Sequence, residues 1–209
     1  MKDTMLIFDL DGTLWDSSAN VAVSWNSVIR TQKLDMPDLT GADIQAVMGK
    51  TMEEIALTLF PDYNETERKT FFDECQAFEN EYISKHGGLL FPYIRETLSE
   101  LKERGYKMAI VSNCQTGYIN AFLKSMNMKE FFCDIEEWGN TLRPKADNIR
   151  LVMERNGFDK AFYIGDTRKD MEASIGAGIP FIHAAYGFGA IEEAEKAITG
   201  FAQLLDMFE

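Results

Sequence analysis

The sequence predicts an α/β protein: a Rossmann-like parallel sheet core with helices on both faces, plus an inserted all-helical cap domain. Two observations lead to this prediction. Short apolar segments alternate with amphipathic helical segments along most of the chain, and one long segment shows helical periodicity only. The 209 residues, 45% of them hydrophobic, suffice for one large domain or for one domain with a small insert.

Short apolar runs that end in polar residues or glycine mark the strands. The first run, Met5–Phe8, is followed by the sequence Asp-Leu-Asp-Gly-Thr. The other predicted strands are Met108–Val111, Phe131–Ile135, Ala161–Ile164 and Pro180–Ala184. Ligands bind beyond the carboxyl ends of parallel strands, so Asp9, Ser112 and Asp166 are expected to converge there.

Helical periodicity fills the intervals between these strands. The helices predicted there are Tyr93–Arg104, Tyr118–Met126, Asp147–Asn156 and Lys169–Ala177. Between the first two strands, helical patterns alone occupy a segment too long for one crossover. Its predicted helices run from Ser17 or Ser18 to Thr31 and over Thr40–Val47, Met52–Leu59 and Thr66–Ser84. We therefore predict a catalytic core of residues 1–15 and 88–209, with a cap of residues 16–87.

Composition narrows the classes of partner. A formal net charge of -13 disfavours nucleic acid and anionic membranes, because phosphate binding depends on Lys and Arg. No apolar stretch approaches the length of a signal peptide or a membrane span. The three widely spaced cysteines do not suggest disulfides, which predicts a cytoplasmic protein. A monomer and a homodimer fit equally well.

The acidic residues at the predicted strand ends point to a metal. Asp9 and Asp11 lie two residues apart, and two carboxylates this close repel each other unless a cation lies between them. Asp166 adds a third carboxylate, and Asp170 follows one helical turn later. Oxygen ligands with no Cys/His cluster nearby favour Mg²⁺.

Four ordered motifs resemble those of the haloacid dehalogenase superfamily, in particular its phosphoglycolate-phosphatase-like group with a helical cap. The resemblance covers essentially the whole chain. The motifs are Asp9-Leu10-Asp11-Gly12-Thr13-Leu14, Val111-Ser112-Asn113, Lys145, and Gly165-Asp166-Thr167-Arg168-Lys169-Asp170. The family's third motif often reads Lys-Pro, whereas this chain has Arg143-Pro144-Lys145, so the assignment to Lys145 over Arg143 is open to test.

The resemblance implies a role for each motif residue. Asp9 would attack phosphorus and bind Mg²⁺. Asp11 would bind Mg²⁺ through its backbone carbonyl, and its carboxyl would act as general acid and base. The other implied site residues are Ser112 and Asn113 beside the phosphoryl group, Lys145 as its counter-charge, Asp166 and Asp170 in the metal site, and the amides of Leu10 and Gly12 as a phosphate cradle.

Lys50 lies in a Gly49-Lys50-Thr51 sequence that looks like the end of a phosphate-binding P-loop. A P-loop requires glycine where this chain has Ile44, and it should follow a strand. In the family, a cap loop of this kind can face the substrate, which makes Lys50 a candidate specificity residue. An ordinary solvent-exposed lysine is the competing interpretation.

The resulting hypothesis is a magnesium-dependent phosphatase that acts on a small phosphorylated metabolite through an aspartyl-phosphate. A phosphosugar mutase of the same family would have the same site residues. A non-enzymatic phospho-acceptor switch belongs to a different class, and the predicted cap argues against it.

Overall fold

A computed structural model describes residues 3–209 of the chain. Short strands and longer helices alternate along most of it. The strands are β1 (Thr4–Phe8), β2 (Trp15–Asp16), β3 (Leu89–Leu90), β4 (Lys107–Ser112), β5 (Asp134–Glu137), β6 (Lys160–Gly165), β7 (Phe181–Ala184) and β8 (Ala197–Ile198). The helices are α1 (Ser18–Thr31), α2 (Gly41–Gln45), α3 (Met52–Leu59), α4 (Glu65–His86), α5 (Ile94–Glu103), α6 (Tyr118–Ser125), α7 (Trp138–Thr141), α8 (Lys145–Asn156), α9 (Arg168–Ala177) and α10 (Leu204–Met207).

Six of the strands form one parallel sheet in the order β5-β4-β1-β6-β7-β8. β1 lies inside the sheet, where Phe8 pairs with Ile110 of β4 and Ile164 of β6. The carboxyl ends of these three strands therefore meet at one edge. This arrangement confirms the predicted α/β, Rossmann-like class.

The side chains of β1 alternate between two apolar clusters. Leu6 and Phe8 pack into one, while Met5 and Ile7 pack into the other, and all four are fully buried. Successive side chains of a strand point to opposite faces, so both faces of the sheet are covered. A strand buried on both sides explains why this segment is apolar without interruption.

The fifth predicted strand is displaced along the chain. The pattern placed it at Phe131–Ile135, but β5 begins at Asp134, and residues 129–131 form a 3₁₀ turn. Two of the three acidic side chains of β5, Asp134 and Glu136, pair with Arg155, and the third, Glu137, accepts hydrogen bonds from the backbone amides of Gly117 and Ile119. Hydrophobicity alone does not reveal a strand whose charges are neutralised by a distant residue.

Helices α1–α4 make up an inserted helical segment, residues 18–86, which is joined to the rest of the chain by a two-stranded ribbon. In that ribbon Trp15 pairs with Leu90 and Asp16 with Leu89. Helix α4 packs against α1 within the segment and against α6 outside it. Within residues 3–209, no helix is long and apolar enough to cross a membrane.

Candidate active site

The polar residues at the ends of the central strands lie at one edge of the sheet, and two of them line a cavity there. Asp9 follows β1, Ser112 ends β4 and Asp166 follows β6, and each is at most 6% exposed. Asp9 and Ser112 line a cavity of about 50 Å³ together with Asp11 and residues of the inserted helical segment. The expected convergence at this edge of the sheet is thus present.

Lys145 lies between two of the carboxylates. It is the first residue of α8, and its buried ammonium donates to Asp9 Oδ1 at 2.9 Å and to Asp170 Oδ1 at 2.6 Å. Burial alone would lower the pKa of this lysine, but the charges of Asp170 and Asp9 raise it. Arg143, the competing third-motif residue, is exposed, so its side chain has no such position.

Three buried carboxylates form a group suited to a metal ion. Ligand oxygens of Asp9, Asp166 and Asp170 lie within 4.8 Å of one another. Burial and the charge of Asp170 raise the pKa of Asp9 to about 6, against the effect of Lys145. Burial and the charges of Asp170 and Asp9 raise the pKa of Asp166 to about 8. One lysine therefore does not neutralise the group, and a hard divalent cation such as Mg²⁺ fits both its charge and its oxygen donors.

A capping box fixes the position of Asp170. Thr167 is the N-cap of α9, and its backbone amide donates to Asp170 Oδ2 at 2.9 Å, while its hydroxyl accepts from the Asp170 amide at 3.3 Å. This box uses a local sequence signal, a threonine followed by an acid three residues later. The helix terminus thereby presents the other oxygen, Oδ1, to Lys145.

Gly12 allows the first motif to approach Asp166. Its φ is +81°, and a Cβ atom there would lie 2.2 Å from Asp166 Oδ2. Its amide donates to the Trp15 carbonyl at 2.9 Å. The expectation that this amide cradles phosphate is therefore corrected, because the amide closes the turn instead. The amide of Leu10 donates to no residue between 3 and 209, which leaves it available to a ligand.

The carboxyl of Asp11 lies outside the group of three buried carboxylates. Ser17 donates to Asp11 Oδ1 at 2.7 Å, and the Tyr118 hydroxyl donates to the same oxygen at 3.1 Å. Burial raises the pKa of Asp11 to about 7, although these hydrogen bonds oppose the shift. Ser17 occupies the N-cap position of α1 but makes no capping hydrogen bond with its side chain, because that hydroxyl serves Asp11.

The inserted helical segment closes over the cavity. The Asn113 side chain donates to the Gly49 carbonyl at 3.2 Å, which connects the second motif to the loop before α3. Lys50 lines the cavity, but its ammonium lies 3.2 Å from Thr58 Oγ1. Glu79 of α4 also lines the cavity and is 4% exposed.

Several site residues were not anticipated from the sequence. Tyr118 and Glu79 looked like ordinary helical residues, and Ser17 looked like a helix cap. The Phe188 amide donates to Asp166 Oδ2 at 2.8 Å from the glycine-rich loop Tyr186-Gly187-Phe188-Gly189. In the sequence, the two glycines beside Phe188 were the one signal of this close approach. The structure requires glycine at position 187, because a Cβ there would lie 2.4 Å from Asp166 Cβ.

Comparison with known proteins agrees with this geometry. The family model described as haloacid dehalogenase-like hydrolase matches residues 6–184. Phosphoglycolate phosphatase of Vibrio vulnificus (strain CMCP6) is 26% identical over 221 residues, covering 97% of this chain and 95% of its own. The Escherichia coli (strain K12) phosphoglycolate phosphatase is 27% identical over 206 residues, with 87% and 81% covered. A Bacteroides fragilis structure described as haloacid dehalogenase-like hydrolase superposes with a TM-score of 0.83 at 26% identity, with 97% and 100% covered.

Proposed function

The chain belongs to the haloacid dehalogenase-like hydrolase family, and on that premise we propose that it is a magnesium-dependent phosphatase acting on a small phosphorylated metabolite. The reaction passes through a phosphoaspartate at Asp9. One observation carries the proposal: Asp9 faces the cavity while its carboxylate contacts Lys145 and belongs to the group of three buried carboxylates.

Asp9 is the proposed nucleophile. One of its carboxylate oxygens attacks phosphorus, the bond from phosphorus to the ester oxygen breaks, and an acyl-phosphate forms. Water then attacks the same phosphorus, which releases inorganic phosphate and restores the carboxylate. Dividing a very slow hydrolysis into two displacements is the usual benefit of covalent catalysis.

Asp11 is the proposed general acid and base. It lines the same cavity, two residues from the nucleophile, and its hydrogen bonds from Ser17 and Tyr118 hold the carboxyl in place. It gives a proton to the leaving alcohol in the first displacement and takes one from water in the second.

The remaining groups stabilise charge on the transferring phosphoryl group. Lys145 supplies a fixed ammonium, and the Ser112 hydroxyl and the amide of Leu10 supply hydrogen bonds. Asp9, Asp166 and Asp170 would hold Mg²⁺. When bound, this ion would neutralise phosphoryl oxygens and offset the repulsion among the carboxylates.

The inserted helical segment is proposed to act as a cap that excludes water and selects the substrate. Its helices already cover Asp9 and Asp11, and the contact of Asn113 with Gly49 joins it to the catalytic motifs. Phosphoglycolate, the substrate named for the bacterial relatives, is a first compound to test. The free thiols of the three cysteines fit a proposed cytoplasmic location.

Phosphate release from a panel of phosphorylated metabolites, with and without Mg²⁺, tests the proposal. We expect magnesium-dependent release by the native protein and none by Asp9→Asn. Transfer of phosphate to a second hydroxyl without net release would instead show a mutase. Stable phosphorylation of Asp9 without turnover would show a phospho-acceptor switch. No release and no phosphorylation would contradict the proposal.

A further inference from the structure

Glu79 is a buried carboxyl that the proposed chemistry does not use. It lies on α4 and faces the cavity that also contains Asp9 and Asp11. The indole Nε1 of Trp25 donates to Glu79 Oε2 at 2.5 Å. Within residues 3–209, no lysine or arginine pairs with it. Burial raises the pKa of this carboxyl to about 8.

The part of the cavity wall that the inserted helical segment forms around Glu79 is mostly apolar. The residues that the inserted helical segment contributes to it include Val21, Ile44, Val47, Met48, Met52 and Ile55. Lys50 is the other ionisable residue of this segment in the wall, and its ammonium is turned to Thr58 Oγ1, which lies outside the wall. Glu79 is therefore the acidic group that this wall presents to a ligand.

Burying a carboxyl in this cavity wall lowers the stability of the folded protein unless the carboxyl gains hydrogen-bond donors. Removing it from water without a cation is unfavourable, and an apolar side chain of similar size would pack there at lower cost. Trp25 donates one hydrogen bond, since an indole has one N–H, and the Gln115 side chain donates a second. A ligand that offers a further donor would offset part of this cost in the bound state.

We propose that Glu79 selects the leaving alcohol, so that the preferred substrates are phosphate monoesters of small amino alcohols or polyols. Their ammonium or hydroxyl group donates a hydrogen bond to the Glu79 carboxyl while the phosphoryl group lies at Asp9. This inference rests on the proposed phosphatase function. It departs from the hydroxy-acid phosphate named for the bacterial relatives, because above the raised pKa of Glu79 a substrate carboxylate would lie against a charged acidic residue with no lysine or arginine beside it.

Four phosphate esters of nearly equal length test the proposal. They are 2-aminoethyl phosphate, 2-hydroxyethyl phosphate, propyl phosphate and phosphoglycolate, which end in ammonium, hydroxyl, methyl and carboxylate. Assayed above pH 8, where Glu79 is ionised, the native protein is expected to have a kcat/KM at least about 10-fold higher for the preferred donor-bearing ester than for propyl phosphate. A hydrogen bond to a charged group is worth about 10- to 100-fold. Phosphoglycolate is expected to rank last.

Two substitutions of Glu79 distinguish an ammonium donor on the substrate from a hydroxyl donor. Glu79→Met removes both charge and acceptor, and it should reduce the preference over propyl phosphate by about 10-fold or more for either donor. Glu79→Gln keeps a neutral acceptor, so it should preserve a preference for the hydroxyl ester but abolish one for the ammonium ester. Glu81→Gln on the exposed side of the same helix is the matched control and should leave the ratio unchanged.

The ranking measured on the native protein stands even if a variant does not fold. A native preference for phosphoglycolate, or equal kcat/KM for all four esters, would overturn the inference while leaving the phosphatase function intact. An unchanged ratio in a folded Glu79→Met variant would do the same. Failure to release phosphate from all four esters and from the metabolite panel would overturn the proposed function and the inference together.

Discussion

Replacing Lys145 by methionine tests how the active site balances its charges. The Lys145 side chain is 3% exposed, and its ammonium contacts Asp9 at 2.9 Å and Asp170 at 2.6 Å. Methionine preserves much of the volume and removes the charge. The two carboxylates then lie near each other, and near Asp166, without a counter-ion.

The expected loss of stability follows from this burial. Breaking a buried ion pair by removing one partner costs about 3–5 kcal/mol. In a chain of this size 1 kcal/mol corresponds to about 2–4 °C in Tm, so we expect Lys145→Met to melt about 6–20 °C below the native protein in the absence of Mg²⁺.

The loss should depend on pH. Without Lys145, the pKa of Asp9 in the folded state should rise further above its already raised value of about 6. A carboxyl whose folded-state pKa exceeds its unfolded-state pKa loses stability as the pH rises between those two values. The Tm difference between native protein and Lys145→Met should therefore be larger at pH 8 than at pH 5.

Thermal unfolding at the two pH values measures this, and phosphate release gives the catalytic counterpart. Loss of a charge-stabilising donor typically lowers kcat by about 10²- to 10³-fold. Arg143→Met is the matched control, because Arg143 is exposed two residues away. A Lys145→Met variant with native Tm at pH 8 and native turnover, beside an inactive Arg143→Met, would refute the reasoning.

Three further predictions concern glycine, metal and pH. Gly12→Ala should destabilise the protein more than Gly157→Ala and should abolish turnover. Both positions have a positive φ, but only at Gly12 would a Cβ meet Asp166. Equal losses of Tm and equal activities in the two variants would contradict this prediction. At 100 times its Kd, Mg²⁺ should stabilise the native protein by about 2.7 kcal/mol and so raise its Tm. At equal ionic strength it should not raise the Tm of Asp166→Asn, and equal gains in Tm would exclude Asp166 as a ligand. The pKa of Glu79 is raised to about 8, so the stability that this residue contributes should fall as the pH rises from 4.5 to 8. The Tm of Glu79→Gln should therefore rise relative to that of the native protein across this range. A Tm difference that does not change with pH would argue against a neutral buried carboxyl.

Most of the sheet and the positions of its polar ends could be predicted from the sequence. Helix α3 has the predicted bounds, and β1 differs by one residue at its start. Asp9, Ser112 and Asp166 follow apolar runs in a strand–helix alternation, and parallel strands carry such residues to one edge. The strand β5 was misplaced because Asp134 and Glu136, which make it look polar, are paired with Arg155. The two-residue strand β8 is too short to produce a pattern.

The sequence by itself determined which residues lie at the strand ends, because each buried strand is a short apolar run that stops at a polar residue or glycine. Only the tertiary structure decided which side chains meet across the chain. It placed Lys145, not Arg143, between two carboxylates, and it brought Tyr118 and Ser17 to Asp11. These contacts join residues up to 136 positions apart. They depend on how helices pack against the sheet and against each other, and no short-range pattern encodes that packing.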